Sequence, residues 1–363
     1  MRILHFHSAN DAMIAQHVEM LVNGMGQGTV HHVATEGQQA LVLLEGGHYD
    51  LVHLHGCWRN STRKIVGVAL RQGARLVLTP HGQLNPWVME DNYWQEKLPK
   101  RVFYQRAIVR QAYAVIIQGA IEQECMQKLK WNSRQVMIRN AVVTHSITPE
   151  EMASKTYDVY WKIINSNPLS LMTDDTRVAL KNLLKAGITG DVRWLDDMTA
   201  PHDVTEWRKI LCFAHQEHVE DTLQRGIRVM GLEAPDIDAT QIPYFLPDDY
   251  EEAETIQQTI GNQFATENDR LMATFRTLRR LSADRQLRIE HLVELDRELR
   301  RHACQEDILA DDLAEYKLLK LARRIMQLMA EKTGLTDGFM PVLPLNDRTT
   351  RTLSKRITNN LKI

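Results

Sequence analysis

The first part of the chain alternates between short apolar runs and longer stretches with an apolar residue at every third or fourth position. The short runs predict buried parallel strands, and the longer stretches predict the crossover helices that connect such strands. We therefore expect a doubly wound, Rossmann-like α/β sheet over residues 1–148. The predicted strands are 3–7, 30–35, 51–55, 75–79, 114–118 and 136–139, and the predicted helices are 12–23, 38–45, 62–72, 96–111 and 121–130.

The pattern changes near Thr148, where strand-like runs give way to amphipathic helical stretches. Residues 149–363 are therefore expected to form a mostly α-helical domain, interrupted by an irregular, proline-containing connector at about 231–249. The predicted helices are 151–165, 174–186, 204–226, 250–281, 285–303 and 307–332.

An apolar stripe in the last of these helices leaves two alternatives open. Its residues are Leu318, Leu321, Ile325 and Leu328. The stripe either packs inside a closed helical bundle or stays exposed, where it would support a homodimer or the docking of a partner protein.

Charge and composition exclude several classes of partner. The 363 residues carry a formal net charge of −2, so no overall field favours nucleic acid, and no such partner is expected. The basic stretch 348–362 indicates at most a weak peripheral contact with an anionic membrane surface. No apolar run approaches the ~18 residues of a spanning helix. Four widely separated cysteines indicate free thiols in a reducing compartment. We expect a cytoplasmic protein, with peripheral attachment to the inner membrane left open.

Candidate chemistry appears at the ends of three predicted strands. His7, His55 and His81 each lie at the carboxyl end of such a strand, and Gly56 and Gly82 come directly after the last two histidines. Because ligands bind outside the carboxyl ends of the strands in open α/β sheets, these histidines could converge with the two glycine amides. Histidine at this edge can donate a hydrogen bond to a sugar hydroxyl or to a phosphate oxygen.

Other histidines carry weaker predictions. His5 and His53 lie one residue pair deeper in their strands and are interpreted as ordinary strand residues. His215 and His218 could bind a metal from one helix face, although a solvated face is favoured. Metal binding by the His-x-His pairs is the less favoured alternative, because no carboxylate accompanies them in the sequence. We therefore expect no metal and no other cofactor.

Two motifs carry a family resemblance. His55-Gly56-Cys57-Trp58 and the later run from Thr79 to Trp87, Thr-Pro-His-Gly-Gln-Leu-Asn-Pro-Trp, resemble paired motifs of the bacterial family-4 glycosyltransferases. A cationic helix with Lys97 and Lys100, and an acid after the next strand, Glu122, are also similar to that family.

The resemblance implies a fold, an activity and a site. It implies that residues 1–148 are one half of a GT-B fold and that the protein transfers a sugar from a nucleotide-sugar donor to a glycan acceptor in bacterial surface-polysaccharide assembly. It implies that His81 contacts the donor sugar as the catalytic residue. The substrate-binding residues expected around it are His7, Ser8, His55, Gly56, Trp58, Gly82, Lys97, Lys100 and Glu122.

The chain also departs from the family. The first strand-to-helix loop, Ser8-Ala9-Asn10-Asp11, has no glycine and carries an acid that would repel a diphosphate. The second Rossmann domain, with its cations for the diphosphate, is not recognisable after residue 148. Two hypotheses follow: a divergent hexosyl- or glycosyltransferase with a degenerate donor site, or a catalytically inactive pseudoenzyme that binds or scaffolds while its helical region recruits a partner.

Overall fold

A computed structural model describes residues 1–26, 28–193, 195, 200–201, 203–246, 255–261, 264–301 and 303–358, apart from the side chains of residues 93, 96 and 358. Contacts divide the chain into two units. The first comprises Met1–Ser166 with Pro243–Leu246, and the second comprises Asn167–Ile242 with the described residues that follow Pro247.

The first unit is built on a six-stranded, fully parallel sheet, which confirms the predicted α/β class. The strand order is β2-β1-β3-β4-β5-β6. The chain therefore steps from β1 to β2 on one side and then returns to place β3 on the other side, so the order reverses at β1. The strands are β1 Arg2–Phe6, β2 Val30–Ala34, β3 Leu51–His55, β4 Arg75–Thr79, β5 Ala114–Ile117 and β6 Gln135–Met137.

Helices connect these strands, as parallel pairing requires. The segment before β5 mixes α-helical and π-helical turns, the π-helical ones being Tyr93–Lys97 and Arg101–Gln105. The α-helices of this unit are α1 Ala12–Gly24, α2 Gly37–Glu45, α3 Asn60–Arg71, α4 Pro86–Glu90, α5 Leu98–Lys100, α6 Arg106–Gln111, α7 Ala120–Leu129 and α8 Pro149–Asn165.

The two faces of the sheet differ in chemistry. One face is aliphatic: Leu4, Phe6, Val52 and Leu54 pack in one core with residues of α2, α3, α6 and α7. Because alternate strand residues point to opposite faces, the other face receives the histidines of β1 and β3. Tyr160 of α8 contacts that second face through a hydrogen bond to His53, and His17 of α1 contacts it through its ring, 5.7 Å from the ring of His55.

Helix α8 belongs to the first unit, which therefore extends past residue 148, the boundary that the sequence predicts. A capping box at Thr148 and Glu151 starts the helix. A Cβ on Gly24 of α1 would overlap the side chain of Ala153 on α8, so the two helices approach closely. Part of the predicted connector also returns to this unit, where the Pro243 carbonyl accepts a hydrogen bond from Asn165.

The described elements of the second unit are helices, and α9 Asp174–Thr189 is the first of its α-helices. Short 3₁₀ helices lie at Pro168–Leu171, Ala239–Gln241 and Asp337–Phe339. Two stretches predicted as single helices, 204–226 and 307–332, are each divided in two, at His218 (φ 54°) and at Lys317 (φ 57°). The prediction for 250–281 falls partly outside the described residues, and the rest is two helices separated at Gly261. The remaining helices are α10 Val204–Gln216, α11 Glu220–Val229, α12 Ile256–Ile260, α13 Glu267–Ala283, α14 Ile289–Arg301, α15 Glu306–Glu315, α16 Leu319–Lys332 and α17 Arg348–Thr358.

The apolar stripe of α16 lies inside the core of this unit. Leu318, Ile325 and Leu328 are fully buried, and Leu321 packs against the same core while partly exposed. The described part of the predicted basic stretch 348–362 is the amphipathic helix α17, which inserts Leu353 and Ile357 into that core. The remainder of the stretch lies outside the described residues. The stripe thus packs within the unit and is not left over as a docking surface. Among the described residues, none of the helices combines the length and apolarity required to cross a membrane.

Candidate functional site

One face of the sheet carries histidines where parallel sheets usually carry aliphatic side chains. His5 on β1 and His53 and His55 on β3 are buried. Strand pairing places His5 opposite His53, and the rings of His53 and His55 have centroids 3.9 Å apart. The local cause is the alternation of each strand, which sends residues two apart to the same face.

Four imidazoles lie in a chain of close nitrogen–nitrogen contacts that crosses three strands and reaches the loop after β4. Its members are His31, His5, His55 and His81. Nε2 of His5 lies 3.0 Å from Nδ1 of His31 on β2. Nδ1 of His5 lies 3.1 Å from Nε2 of His55. Nδ1 of His55 lies 3.2 Å from Nε2 of His81. The candidate residues His55 and His81 are therefore in direct contact, and His5 extends their network into the sheet.

His53 satisfies both ring nitrogens separately from this chain. Its Nδ1 lies 2.5 Å from the hydroxyl of Tyr160 on α8, and its Nε2 lies 2.7 Å from Oγ1 of Thr79 on β4. Each hydroxyl can donate or accept, so a neutral His53 makes two complete hydrogen bonds. This arrangement is compatible with the interpretation of His53 as an ordinary strand residue.

His17 brings a further imidazole from α1. It is buried, and its Nδ1–H donates to Oδ1 of Asn140 at 3.0 Å. The same Oδ1 accepts the amide of Val142 at 3.1 Å, which orients the Asn140 side chain. The His17 ring meets the His81 ring edge to face, with centroids 4.7 Å apart.

Burial keeps this cluster neutral. It lowers the pKa of His5, His53, His55 and His81 well below 6.5, and neighbouring histidines add to the effect. Burial also lowers the pKa of His17 to about 4, against a smaller opposing effect of its bond to Asn140. Near neutral pH each of these rings therefore has one N–H and one lone pair available.

The two motif loops adopt left-handed backbone conformations at the carboxyl edge. Gly56 (φ 87°) and Gly82 (φ 76°) accept this readily, whereas Trp58 (φ 68°) and His81 (φ 54°) are non-glycine residues held there. Such conformations cost free energy and cluster at binding and active sites.

A single glutamine joins the two loops. The Cys57 amide donates to Oε1 of Gln83 at 2.6 Å, and the Trp58 indole donates to the Gln83 carbonyl at 2.8 Å. The loops after β3 and β4 are therefore one connected structure, which explains how the strained residues are held.

Glu122 is hydrogen-bonded to the second motif loop. Its carboxylate accepts hydrogen bonds from the backbone amides of Gly82, at 2.8 Å, and Gln118, at 3.2 Å. Burial raises the pKa of Glu122, and these two hydrogen bonds oppose the rise. The Gly82 amide, expected to face substrate, is thus already bonded to an acid of this chain.

The polar side chains of the first strand-to-helix loop form hydrogen bonds within the loop and with the first turn of α1. His7 is buried and its Nδ1–H donates to the Ser8 carbonyl at 2.8 Å. The Ser8 hydroxyl accepts the Asn10 amide, and Asp11 caps α1 by accepting the Ile14 amide at 3.1 Å. Asp11 therefore has a helix-capping role that its sequence position at a candidate phosphate loop did not suggest.

The two predicted lysines lie apart. Nζ of Lys97 sits 5.3 Å from the centre of the Trp58 ring, in cation–π contact with the first motif loop. Lys100 instead lines a groove of about 940 Å³ with Arg63 and Arg71 of α3. The structure thus brings Lys97 to the motif loops and assigns Lys100 to a different surface.

The pair His215 and His218 does not share a helix face. Helix α10 ends at Gln216, and His218 has left-handed backbone. His215 pairs with Glu220 at 2.8 Å. This geometry does not place the two rings on one helix face, as a metal site of this pair would require.

Sequence reasoning did not single out His17, His31 or Tyr160. For His17 a signal exists, because it falls on the apolar stripe of α1 that Ile14, Val18 and Leu21 define. A histidine in such a stripe is buried and needs a polar partner. The identity of that partner, from a loop more than a hundred residues away, is not readable from spacing.

The cluster can support two kinds of chemistry. Neutral imidazoles donate to or accept from sugar hydroxyls and phosphate oxygens, and they can hold a divalent ion. Two groups of three have ligand atoms within 4.8 Å of one another: His5, His53 and His55, and His17, His55 and His81. Comparison with protein-family models, curated proteins and solved structures finds no match to this chain.

Proposed function

We propose that the chain is a divergent family-4-like glycosyltransferase of bacterial surface-polysaccharide assembly. The observation that carries the proposal is the joining of the two motif loops at the carboxyl edge, where His55, His81, Gly82 and Glu122 lie together. The proposal includes a doubly wound, Rossmann-like half of a GT-B fold in the first unit and a helical domain in the second.

In this proposal the strained loop presents His81 to the donor sugar. A neutral imidazole can donate to or accept from a sugar hydroxyl, and its partial exposure leaves it accessible. Transfer also requires stabilisation of the departing diphosphate. Lys97, over the Trp58 ring, supplies a cation at these loops.

A second candidate function is glycan binding without transfer. The observation that favours it is Glu122, whose carboxylate already accepts the Gly82 amide. A carboxylate there disfavours a diphosphate and leaves a neutral glycan as the better ligand. The helical unit would then recruit a partner or a second copy through a surface other than the buried α16 stripe.

The proposal places the protein in the cytoplasm, with at most peripheral attachment to the inner membrane. An exposed surface on the segment after α4 suits such attachment, because it combines apolar side chains with cations. Its most exposed apolar residues are Trp94, Val102 and Phe103.

The test is calorimetry of the full chain with nucleotide sugars, free nucleotides and a neutral oligosaccharide. We expect binding of a nucleotide sugar that His81→Asn weakens about tenfold, the value of one good hydrogen bond. Asparagine tolerates the left-handed backbone at this position. His145→Asn, at an exposed residue of the same unit, is the matched control.

Binding of the oligosaccharide alone would favour the second candidate. Sugar transfer to an acceptor, lost in His81→Asn, would support the first. Absence of binding by every ligand class would overturn both.

A further inference from the structure

The chain of imidazoles ends on a hydrogen-bond acceptor at each side. At one end, the Thr29 hydroxyl donates to the Gly26 carbonyl, so its oxygen accepts from Nε2 of His31 at 2.9 Å. At the other end, His81 bonds the Gln118 side chain. Nε2 of Gln118 has no hydrogen-bond partner, so its oxygen accepts that bond. The chain of imidazoles, with the acceptors at its two ends, runs in this order: Thr29, His31, His5, His55, His81 and Gln118.

Proton counting then leaves one contact without a proton. Burial lowers the pKa of His31 as well, so all four imidazoles of this chain are neutral near pH 7. The chain of imidazoles has five contacts between neighbours but only four N–H protons. At one contact, two lone pairs therefore face each other. Where that contact is one of the three between imidazoles, the two lone pairs lie 3.0–3.2 Å apart and repel unless a cation lies between them.

A third lone pair marks the place of that cation. His17 uses its Nδ1–H on Asn140, so its Nε2 has a lone pair. His17, His55 and His81 have ligand atoms within 4.8 Å of one another. We propose that these three histidines form a binding site for a divalent transition-metal ion of the zinc type.

The distances suit such an ion. Zinc–nitrogen bonds of about 2.0–2.1 Å in tetrahedral geometry place two ligand nitrogens about 3.4 Å apart. Nδ1 of His55 and Nε2 of His81 are 3.2 Å apart, so this pair is nearly in place. Burial lowers the pKa of all three rings, which keeps their lone pairs free of protons.

The second group of three is a poorer site. Its members are His5, His53 and His55. Both nitrogens of His53 already bond the hydroxyls of Tyr160 and Thr79. A metal there would have to break one of those bonds, whereas the site with His17 uses a nitrogen that makes none.

Outer hydrogen bonds orient each ligand, as they do in known metal sites. Asn140 holds His17, Gln118 holds His81, and His5 contacts the second nitrogen of His55. Glu122, bonded to the amide after His81, offers a carboxylate nearby for charge balance. Partial exposure of His81 leaves a fourth position open to water or to a ligand.

This inference is independent of the proposed function, although both use His55 and His81. It differs from the expectation that no metal binds, which rested on the absence of an accompanying carboxylate. Tri-histidine sites that retain an open position need none, since three neutral imidazoles suffice.

The experiment is a Co²⁺ titration of the full chain after chelator treatment, followed by visible absorption. We expect one ion per chain, with bands typical of nitrogen ligands in four or five coordination. His17→Gln and His81→Asn should each lower affinity more than about 100-fold, because removing a ligand costs more than the 10–100-fold of an outer partner. His32→Gln, a histidine on β2 outside the chain of imidazoles, is the matched control and should bind as the native protein does.

Absence of Co²⁺ binding, or equal binding by all four proteins, would overturn the site. X-ray absorption of the Zn²⁺-loaded native chain provides a measurement that needs no variant. Three imidazoles in the shell at about 2.0 Å support the site, and two or fewer overturn it. Repeating the nucleotide-sugar calorimetry on the metal-free chain separates this inference from the proposed function, since either can fail while the other holds.

Discussion

A histidine on the buried face of a parallel sheet has two ring nitrogens to satisfy, and a nitrogen left unpaired there costs stability. The first unit places imidazoles against each other and against hydroxyls. His53 shows the arrangement most clearly, because Tyr160 and Thr79 take one nitrogen each. At the scale of the residue, the unusual feature is therefore a set of buried imidazoles inside an otherwise aliphatic domain. The pairing is complete for His53 and one proton short along the chain of imidazoles.

Tyr160→Phe tests this pairing. The substitution keeps the ring but leaves Nδ1 of the buried His53 without a partner, so the free energy of unfolding should fall by about 1–3 kcal/mol. Urea unfolding of both proteins measures the change. Tyr157→Phe, on the same helix and partly exposed, should change it by less than about 0.5 kcal/mol. Equal stability of Tyr160→Phe and native protein would show that the hydrogen bond contributes nothing.

At the scale of the element, glycines set the approach of two helices in the second unit. A Cβ on Gly226 of α11 would overlap the Leu183 carbonyl of α9, and a Cβ on Gly187 would overlap the Thr222 carbonyl. Both are backbone atoms, so no side-chain movement relieves the overlap. Helices α9 and α11 therefore pack backbone against backbone, and neither glycine serves a turn.

Gly226→Ala should destabilise the second unit by about 3 kcal/mol or more, the upper end of overpacking costs. This outweighs the gain of about 1 kcal/mol that alanine brings to a helix. Gly67→Ala is the matched control, since a Cβ there meets only the flexible end of Arg71, and it should stabilise α3 by about 0.5–1 kcal/mol. Thermal unfolding measures both. A rise in stability for Gly226→Ala would disprove the close packing.

At the scale of the whole molecule, the two units bind protons in opposite ways on folding. In the first, burial lowers the pKa of His17 from 6.5 to about 4. In the second, burial raises the pKa of the fully buried Glu217 from 4.5 to about 7, against its bond to the Ile289 amide. The two groups titrate over nearly the same pH range with opposite effects on stability.

Acidification from pH 7 to pH 4.5 should therefore weaken the first unit and strengthen the second. Between about pH 4 and pH 6.5, His17 binds a proton in the unfolded chain but not in the folded chain. Its contribution to the stability of the first unit is therefore complete above pH 6.5 and declines as the pH falls. Folded Glu217 keeps a proton that the unfolded chain releases, so its contribution is complete below 4.5 and is lost as the pH rises through about 7. Each effect is about 3 kcal/mol, from 1.36 kcal/mol per pKa unit.

Hydrogen exchange followed by mass spectrometry, corrected for intrinsic rates, measures both units in one experiment. Protection of β1 and β3 should fall with acidification while protection of α10 and α14 rises. In His17→Gln, the free energy of opening of the first unit should fall with acidification less steeply than in the native protein, by about 1.4 kcal/mol per pH unit. Parallel loss of protection in both units would contradict the opposite proton binding.

The sequence by itself determined the elements and the edge at which the candidate residues lie. Apolar runs of strand length and stripes at helical spacing identified the strands of the parallel sheet and most of the helices, because burial imposes those two periods on any chain. It also placed His55 and His81 at neighbouring strand ends, because parallel strands end at one edge. The breaks at His218 and Lys317 were missed, since a single left-handed residue that is not glycine leaves no pattern in the apolar positions.

Only the tertiary structure decided which polar groups meet. The apolar stripe of α8 indicates only that this helix packs against another element. In the structure that element is α1, and α8 therefore belongs to the first unit. His17, Asn140 and Tyr160 reach the histidines from distant parts of the chain, and no local period encodes that convergence. Burial, which lowers the pKa of these histidines and leaves them neutral, is likewise a property of the assembled fold. The physical reason is that periodicity reports which residues are buried, while hydrogen-bond partners depend on how the buried faces are brought together.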